Sequence, residues 1–509
     1  MSMPALPSER VVAVIGAGAM GAGIAQIAAA AGHPVRLLDA RAGAAAKAIE
    51  GIRAQFAKLA EKGRMSTKAA ADAGARLSAA DALPDLADAA LVVEAIVESL
   101  DAKQQLFREL ESIVASDCIL ATNTSSISIT AIGAALQRPE RLAGLHFFNP
   151  APLMALVEVV SGLATARDVA DCLFATANAW GKSPVHARST PGFIVNRVAR
   201  PYYAEALRLL QEGAADAPTL DALMRDAGGF RMGPFELMDM IGHDVNFAVT
   251  RSVWTAFFHD QRFLPSLIQQ ELVDAGFLGR KSGRGFYDYR EGALRPQAST
   301  AAAQALGAMP CVCGDSAAAQ ALVARLDAAG VRHERAGSAD GRIATVGGAT
   351  VFVTDGRSAT RRASDTHLPG TVLIDLALDY ASAIRIGIAA ARQCPEPALH
   401  QAVALLQAAG LQVSLLNDVP GLTVMRTVAM LANEAADAVN QGVCSAEGAD
   451  AAMKLGVNYP SGPLAWADRL GVATVRDVLM HLGGAYGEDR YRVSPLIQQA
   501  FFAGRSLHD

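Results

Sequence analysis

Three groups of residues in this chain have types and spacings that can do chemistry. Gly16, Gly18 and Gly21 form G-x-G-x-x-G directly after the apolar run 11–15 and at the head of an alanine-rich stretch. The first glycine permits a tight turn, the second lets backbone approach a pyrophosphate, and the third lets helix and strand pack closely. The helix N-terminus adds partial positive charge. Gly16, Gly18, Met20 and Gly21 are therefore candidate cofactor contacts. Asp39 closes a second apolar run, where a carboxylate accepts hydrogen bonds from an adenosine ribose and repels a 2′-phosphate. That favours NAD over NADP, with Arg41 nearby counting the other way.

The second group is His146, in Leu145-His146-Phe147-Phe148-Asn149-Pro150, with Glu158 following among Leu156, Val157, Val159 and Val160. A hydride leaves a carbinol carbon only as the hydroxyl proton is removed, and a neutral imidazole suits that task near pH 7. The imidazole needs a partner on its other nitrogen, and a glutamate in so apolar a run needs a partner too. Taken alone, His146 reads as a packed histidine. The third group, Thr122-Asn123-Thr124-Ser125-Ser126, follows an apolar run, where polar side chains face the ligand crevice of an open sheet. Alone it is a polar loop with helix-capping residues.

These groups need a scaffold, and the chain supplies its pattern. Apolar runs at 11–15, 35–39, 91–95 and 119–122 alternate with helical stretches, which predicts parallel βαβ units in a doubly wound sheet. Runs at 142–148 and 156–160 extend that sheet. From about residue 190 helical spacing takes over, at 196–212, 219–227 and 244–259. Residues 291–308 read as a linker or loose helix, and strand-like runs return at 311–313, 351–355, 372–375 and 413–416.

The end of the chain repeats its middle. Pro191-Gly192-Phe193 matches Pro420-Gly421-Leu422, Arg197 matches Arg426, and Gly233-Pro234 matches Gly462-Pro463. Asp239, Gly242 and Leu267-Ile268-Gln269-Gln270 match Asp468, Gly471 and Leu496-Ile497-Gln498-Gln499 at the same offset of 229 residues. The helical domain is duplicated. The fold class is α/β plus all-α, in four parts: an NAD-binding Rossmann-type domain (1–188), a helical domain (189–290), a degenerate Rossmann-like domain (309–415) and a second helical domain (416–509). Residues 291–308 link them.

Composition narrows the partners. With 509 residues, 51% hydrophobic and 19% charged, the chain can bury several cores. A net charge of −5 without a basic stripe argues against nucleic acid. Residues 11–35 carry no Asp, Glu, Lys or Arg, yet their five glycines and Gln26 argue against a membrane span. Six cysteines make no disulfide framework, and Cys311-x-Cys313 lacks a second ligand pair, so neither a metal nor an oxidising compartment is implied. A cytoplasmic location fits. Glu434 and Asp437 read as a solvated helix face.

The motifs GAGAMG, VVEAIVES, NTSSISI, GLHFFNP, GKSPV, TPGFIVNR and GRKSGRGFYDY stand in the order of the 3-hydroxyacyl-CoA dehydrogenase family, which this chain resembles over roughly residues 10–290. The resemblance implies an acyl-CoA thioester substrate, with its 3-hydroxyl oxidised by His146 as base paired with Glu158. It implies Ser125 and Asn196 beside the reacting oxygen, and Glu98, Lys103, Asn149 and Lys281 as NAD contacts. Two departures mark the second half as degenerate: Met425 stands 229 residues beyond Asn196, and residues 308–415 lack G-x-G-x-x-G. Shorter members dimerise through the helical domain, which implies an internal pseudo-dimer here and leaves further homo-oligomerisation open. The long form resembles members acting on 3-hydroxyadipyl-CoA or 3-hydroxybutyryl-CoA, in phenylacetate or fatty-acid catabolism. The rival readings are a non-catalytic NAD- or CoA-binding protein of the same fold and a dehydrogenase of a free hydroxy acid.

Overall fold

A computed structural model describes residues 4–509. The first sheet is built from β1 (Val11–Ile15), β2 (Val35–Leu38), β3 (Leu77–Ala79), β4 (Ala89–Glu94), β5 (Ile119–Thr122), β6 (Leu142–Phe147), β7 (Leu156–Ser161) and β8 (Ser183–Arg188). Their order is β3-β2-β1-β4-β5-β6-β7-β8. The central strands read as continuous apolar runs because helices cover both faces, and Val12, Ala13 and Val14 are wholly buried. The run suspected of spanning a membrane is β1, a turn, the helix Ala19–Ala30 and β2.

One pairing departs from the parallel pattern. β7 runs antiparallel to β6. A parallel return needs a crossover of about a dozen residues or more, and the link between Phe147 and Leu156 is too short for one. The antiparallel register sets His146 directly opposite Glu158. Sequence pattern missed β8, an edge strand that carries Pro184 and buries only alternate residues.

The helical stretch begins with two helices, Val195–Val198 and Arg200–Gln211, where one continuous helix was expected. Pro201 offers no amide to the preceding turn and disfavours helical geometry just before it. Helices Ala217–Asp226, Pro234–Ile241, His243–Ala256 and Leu267–Asp274 follow. Residues 291–308 form no helix; they run as an extended strap.

The second sheet holds β9 (Cys311–Cys313), β10 (Glu334–Ala336), β11 (Arg342–Val346), β12 (Ala349–Val353), β13 (Thr371–Ile374), β14 (Arg385–Ala390) and β15 (Gln412–Leu415), in the order β10-β9-β11-β12-β13-β14-β15. β10, β11 and β14 were not foreseen. The helices Val424–Asn440, Ala446–Gly456, Pro463–Leu470, Val472–Tyr486 and Pro495–Ala503 complete the chain.

The repeat is geometric as well as sequential. Gly192 and Phe193 have φ of 76° and 48°, and their counterparts Gly421 and Leu422 have 77° and 53°. Glu434 and Asp437, expected at a solvated face, are buried, and both pair with the buried Arg262. Arg426 is likewise buried and bonds Glu205 at 2.7 Å. Removing one partner of such a pair strands a buried charge and costs about 3–5 kcal/mol.

The chain divides into two compact units: residues up to 197 with 441–457, and residues 198–440 with 458–509. In the first unit the helix Ala446–Gly456 packs on β7 and β8, and Arg188 N–H donates to Val443 O at 2.9 Å. In the second unit the helix Ala217–Asp226 packs on β14, and Asn417 N–H donates to Ala214 O at 3.0 Å. Each residue of one bond lies 229 positions from its equivalent in the other. Each sheet is thus covered by a helix from the other half of the sequence.

Candidate active site

The glycine loop meets its three steric requirements one residue at a time. Gly16 has φ of 103°, and a Cβ there would lie 2.4 Å from Ala95 O. A Cβ on Gly21 would lie 1.8 Å from Gly16 O, so only glycine lets helix Ala19–Ala30 start this close to β1. A Cβ on Gly18 would meet nothing within 4 Å. Gly18 caps the helix without a side-chain bond, so the first-turn amides remain available to an anion. Met20 lies on that turn, packed on the domain core. Asp39 follows β2; its Oδ2 accepts from Ala17 N–H at 2.7 Å and its Oδ1 from Arg41 N–H at 2.9 Å. Burial opposes the charge of Asp39, but these amides and the Arg41 guanidinium outweigh it and hold the carboxyl below its usual value. The residues present fit a dinucleotide whose pyrophosphate lies on the loop and whose ribose reaches Asp39.

His146 and Glu158 meet in the interior. His146 Nδ1 lies 2.6 Å from Glu158 Oε2, with His146 5% exposed and Glu158 wholly buried. Glu158 Oε1 accepts from Ile194 N–H at 3.1 Å and Val195 N–H at 2.9 Å. Two of these neighbours can only donate, a set that an ionised carboxylate satisfies in full. The proton then sits on Nδ1, and Nε2 presents a lone pair. Among the described residues no hydrogen-bond partner meets Nε2. Phe148 and Phe193 flank the imidazole at 4.5 Å and 5.9 Å between ring centres. The turn that Glu158 braces leads into Asn196, whose Nδ2 reaches Ser125 O at 3.4 Å. His146, Glu158, Ser125 and Asn196 therefore converge.

Glu98 organises the Ser125 loop. It accepts from Thr124 Oγ1 at 2.6 Å, Ser126 Oγ at 2.9 Å and Ser125 N–H at 3.2 Å. Burial works against its ionisation, but the Thr124 and Ser126 hydroxyls and the Lys103 ammonium prevail and hold it below the usual range. Lys103 is buried, with Nζ 2.6 Å from Glu94 and 3.3 Å from Glu98. Asn149 is exposed just beyond β6. Lys281 belongs to the other unit, on a short turn beside Asp244.

Comparison with known proteins bears on this geometry. The NAD-binding domain of 3-hydroxyacyl-CoA dehydrogenase matches residues 11–190, and the C-terminal domain of that enzyme matches both 192–289 and 421–507. The chain belongs to the 3-hydroxyacyl-CoA dehydrogenase family. As a family member it is an oxidoreductase that takes NAD as cofactor and 3-hydroxyacyl-CoA as substrate. Residues 351–420 match the reduced Rossmann-fold domain of 3-hydroxybutyryl-CoA dehydrogenase. The chain is 45% identical to the 3-hydroxyadipyl-CoA dehydrogenase of Escherichia coli (strain K12), over 96% of each chain. It is 41% identical to the human mitochondrial hydroxyacyl-coenzyme A dehydrogenase, over 55% of this chain and 91% of that one. The crystal structure of 3-hydroxybutyryl-CoA dehydrogenase from Escherichia coli K12 superposes with a TM-score of 0.88 at 44% identity, covering 98% of this chain and 99% of that one.

Several residues of this dehydrogenase's site escaped sequence reasoning. Asn123 Oδ1 accepts from Phe147 N–H at 2.9 Å and anchors the strand that carries His146. Glu94, fully buried at the end of β4, takes Lys103, Thr122 Oγ1 at 2.6 Å and Ile96 N–H at 2.7 Å. Its place after an apolar run was the one available signal. Lys182 Nζ donates to Ala151 O at 2.7 Å and Met154 O at 2.8 Å, fixing the loop that follows Asn149. A groove of about 1460 Å³ lies along the helices Ala19–Ala30 and Ala44–Glu61. It is lined by Gly18, Arg41, Lys47 and Lys182 but by no carboxylate, and it does not include His146. In the second half, Asp375 takes the place of Glu158. It accepts from Thr423 N–H and Val424 N–H, the counterparts of the Ile194 and Val195 amides, and no histidine joins it. Burial pushes Asp375 up to about 6 against four backbone amides. No helix among the described residues is long and apolar enough to cross a membrane.

Proposed function

We propose that His146 is the general base that removes the proton of the substrate's 3-hydroxyl. The observation that carries this reading is the 2.6 Å contact from Nδ1 to Glu158, which leaves Nε2 as the acceptor. Glu158 stabilises the imidazolium as it forms. Ser125 and Asn196 hold the reacting oxygen. Bound NAD supplies the hydride acceptor, held by Gly16, Gly18, Met20, Gly21 and Asp39, with Asn149 and Lys281 as further contacts. Glu98 keeps the Ser125 loop in place, and Lys103 acts on the cofactor side by neutralising Glu98. The carboxylate-free groove suits the phosphate-rich end of the CoA thioester. Phe148 and Phe193 exclude water from the imidazole.

The long relative acting on 3-hydroxyadipyl-CoA supports an ω-carboxylated acyl chain as substrate. The exchanged helices support reading the helical copies as an internal pseudo-dimer, with domain limits at 1–188, 189–290, 309–415 and 416–509. Six free thiols suit the cytoplasm.

The test is steady-state oxidation of NADH by acetoacetyl-CoA. His146→Gln is expected to lose turnover by about 10²- to 10⁴-fold while still binding NADH. Near-normal turnover removes His146 from the role. Equal rates with the free 3-oxo acid and its thioester would favour a free-acid dehydrogenase. Rates across 3-hydroxyacyl-CoAs with and without an ω-carboxylate decide the acyl chain.

A further inference from the structure

A second large cleft, of about 1020 Å³, lies wholly within the unit made of residues 198–440 and 458–509, and none of its lining residues belongs to the site above. Its walls are the helices Ala217–Asp226 and Pro234–Ile241, the strap 295–300, and the edges of β14 and β15. Five arginines line it: Arg225, Arg231, Arg280, Arg295 and Arg385. Only two carboxylates do, Asp226 and Glu236.

The pairing inside the cleft leaves a surplus of cation. Arg225 and Arg295 share the single carboxylate of Glu236, one on each oxygen. Arg385 is buried and takes Asp226 at 3.4 Å, with Ser414 Oγ at 2.7 Å and Thr300 Oγ1 at 3.0 Å. Arg231 reaches only a neutral amide, Asn458 Oδ1, at 3.2 Å. Arg280 lies over the ring of Tyr289 at 5.6 Å. Among the described residues no carboxylate pairs with Arg231 or Arg280, and both are exposed. The repeat does not require these charges: 229 residues on, Arg231, Asp226 and Glu236 become Pro460, Leu455 and Ala465.

Guanidinium groups converging on one cavity match the oxygens of phosphate in bidentate fashion, and the volume exceeds that of a single phosphate. We propose that this cleft is a second, non-catalytic binding site for a polyphosphate chain, of the kind carried by a nucleoside di- or triphosphate. Arg231 and Arg280 are the open ligands, and Arg295 turns from Glu236 to the ligand. Bound there, the chain ties two helices, the strap and the second sheet together. It therefore raises the melting temperature of the protein.

The experiment is calorimetric titration of the full-length protein, with NADH and CoA present at saturation so that the dinucleotide and thioester sites are filled. The probes are inorganic tripolyphosphate and ATP. Saturable binding that raises Tm, weakens with salt, and weakens at least about tenfold in the double variant Arg231→Ala, Arg280→Ala is the expected result. Equal affinity for the two probes shows that the phosphate chain alone is recognised, and tighter ATP shows that the nucleoside is held as well. Glu236→Gln, which releases Arg225 and Arg295 from their shared partner, tightens binding. Retained NADH binding by the double variant shows that it is folded. Absence of saturable binding of either probe up to about 5 mM, or equal affinity in the native and doubly substituted proteins, overturns the proposal.

Discussion

Glu158→Gln separates catalysis from folding at the same side chain. The native carboxylate accepts from two backbone amides on Oε1 and from His146 on Oε2. Glutamine keeps the shape but has one oxygen and one NH₂. If its oxygen serves the Ile194 and Val195 amides, the NH₂ donates to Nδ1 and forces the ring proton onto Nε2. A flipped amide would instead set NH₂ against two buried N–H donors, each left unsatisfied at about 1–3 kcal/mol. The first orientation wins, and His146 is held in the tautomer that cannot accept a proton. Loss of the equivalent carboxylate from a histidine base elsewhere costs about 10⁴-fold. The variant is therefore expected to retain its Tm within a few degrees and its NADH affinity, read by nicotinamide fluorescence. Turnover of NADH with saturating acetoacetyl-CoA is expected to fall about 10³- to 10⁴-fold, a barrier rise of about 4–5.5 kcal/mol. Glu158→Ala, which strands the two amides, should lower Tm as well. A folded Glu158→Gln protein with turnover within about tenfold of native would refute the reasoning.

Three further outcomes follow from the same geometry. Gly18→Val, at an extended position with open space around it, should keep the Tm and abolish NADH binding, whereas Gly21→Ala should lower the Tm because its Cβ meets Gly16 O; thermal melts and NADH titrations read both. Asp39→Asn should raise the ratio of NADPH to NADH kcat/KM by about tenfold or more, since it removes the repulsion of a 2′-phosphate; an unchanged ratio would move cofactor choice elsewhere. Oxidation releases one proton, so the apparent equilibrium should shift toward the ketone by about tenfold per pH unit. Ketone reduction, which starts from protonated His146, should slow as pH rises; initial rates in both directions between about pH 6 and 9 check this, and His146→Gln should flatten the reduction profile.

What could be read from the chain divides by the range of the forces involved. The glycine loop was legible because each glycine answers a steric demand within its own β1–helix turn. His146 and Glu158 were legible as a pair because both sit in short apolar strands, although the antiparallel register that makes them face each other rests on a loop length. Asn123, Glu94 and Asp375 were not, since a side chain that caps backbone from a distant strand leaves no periodic trace. Glu434 and Asp437 misled because charge on a helix ordinarily means solvent, and Arg262, far away in sequence, buries both. The offset of 229 residues revealed the duplication, but not that each sheet borrows a helix from the other half.

That exchange of helices has a consequence for how the enzyme behaves when scarce. Two separate polypeptides that swap an element come apart on dilution, and their activity falls with them. Here Ala446–Gly456 reaches β7 and β8 along its own backbone, at an effective concentration that no change of volume can alter. Specific activity should hold constant down to single molecules, and no mixed assemblies can form between native and damaged copies. One half was then free to shed its chemistry, as Met425 and Asp375 record, provided it kept the shape that the other half leans on.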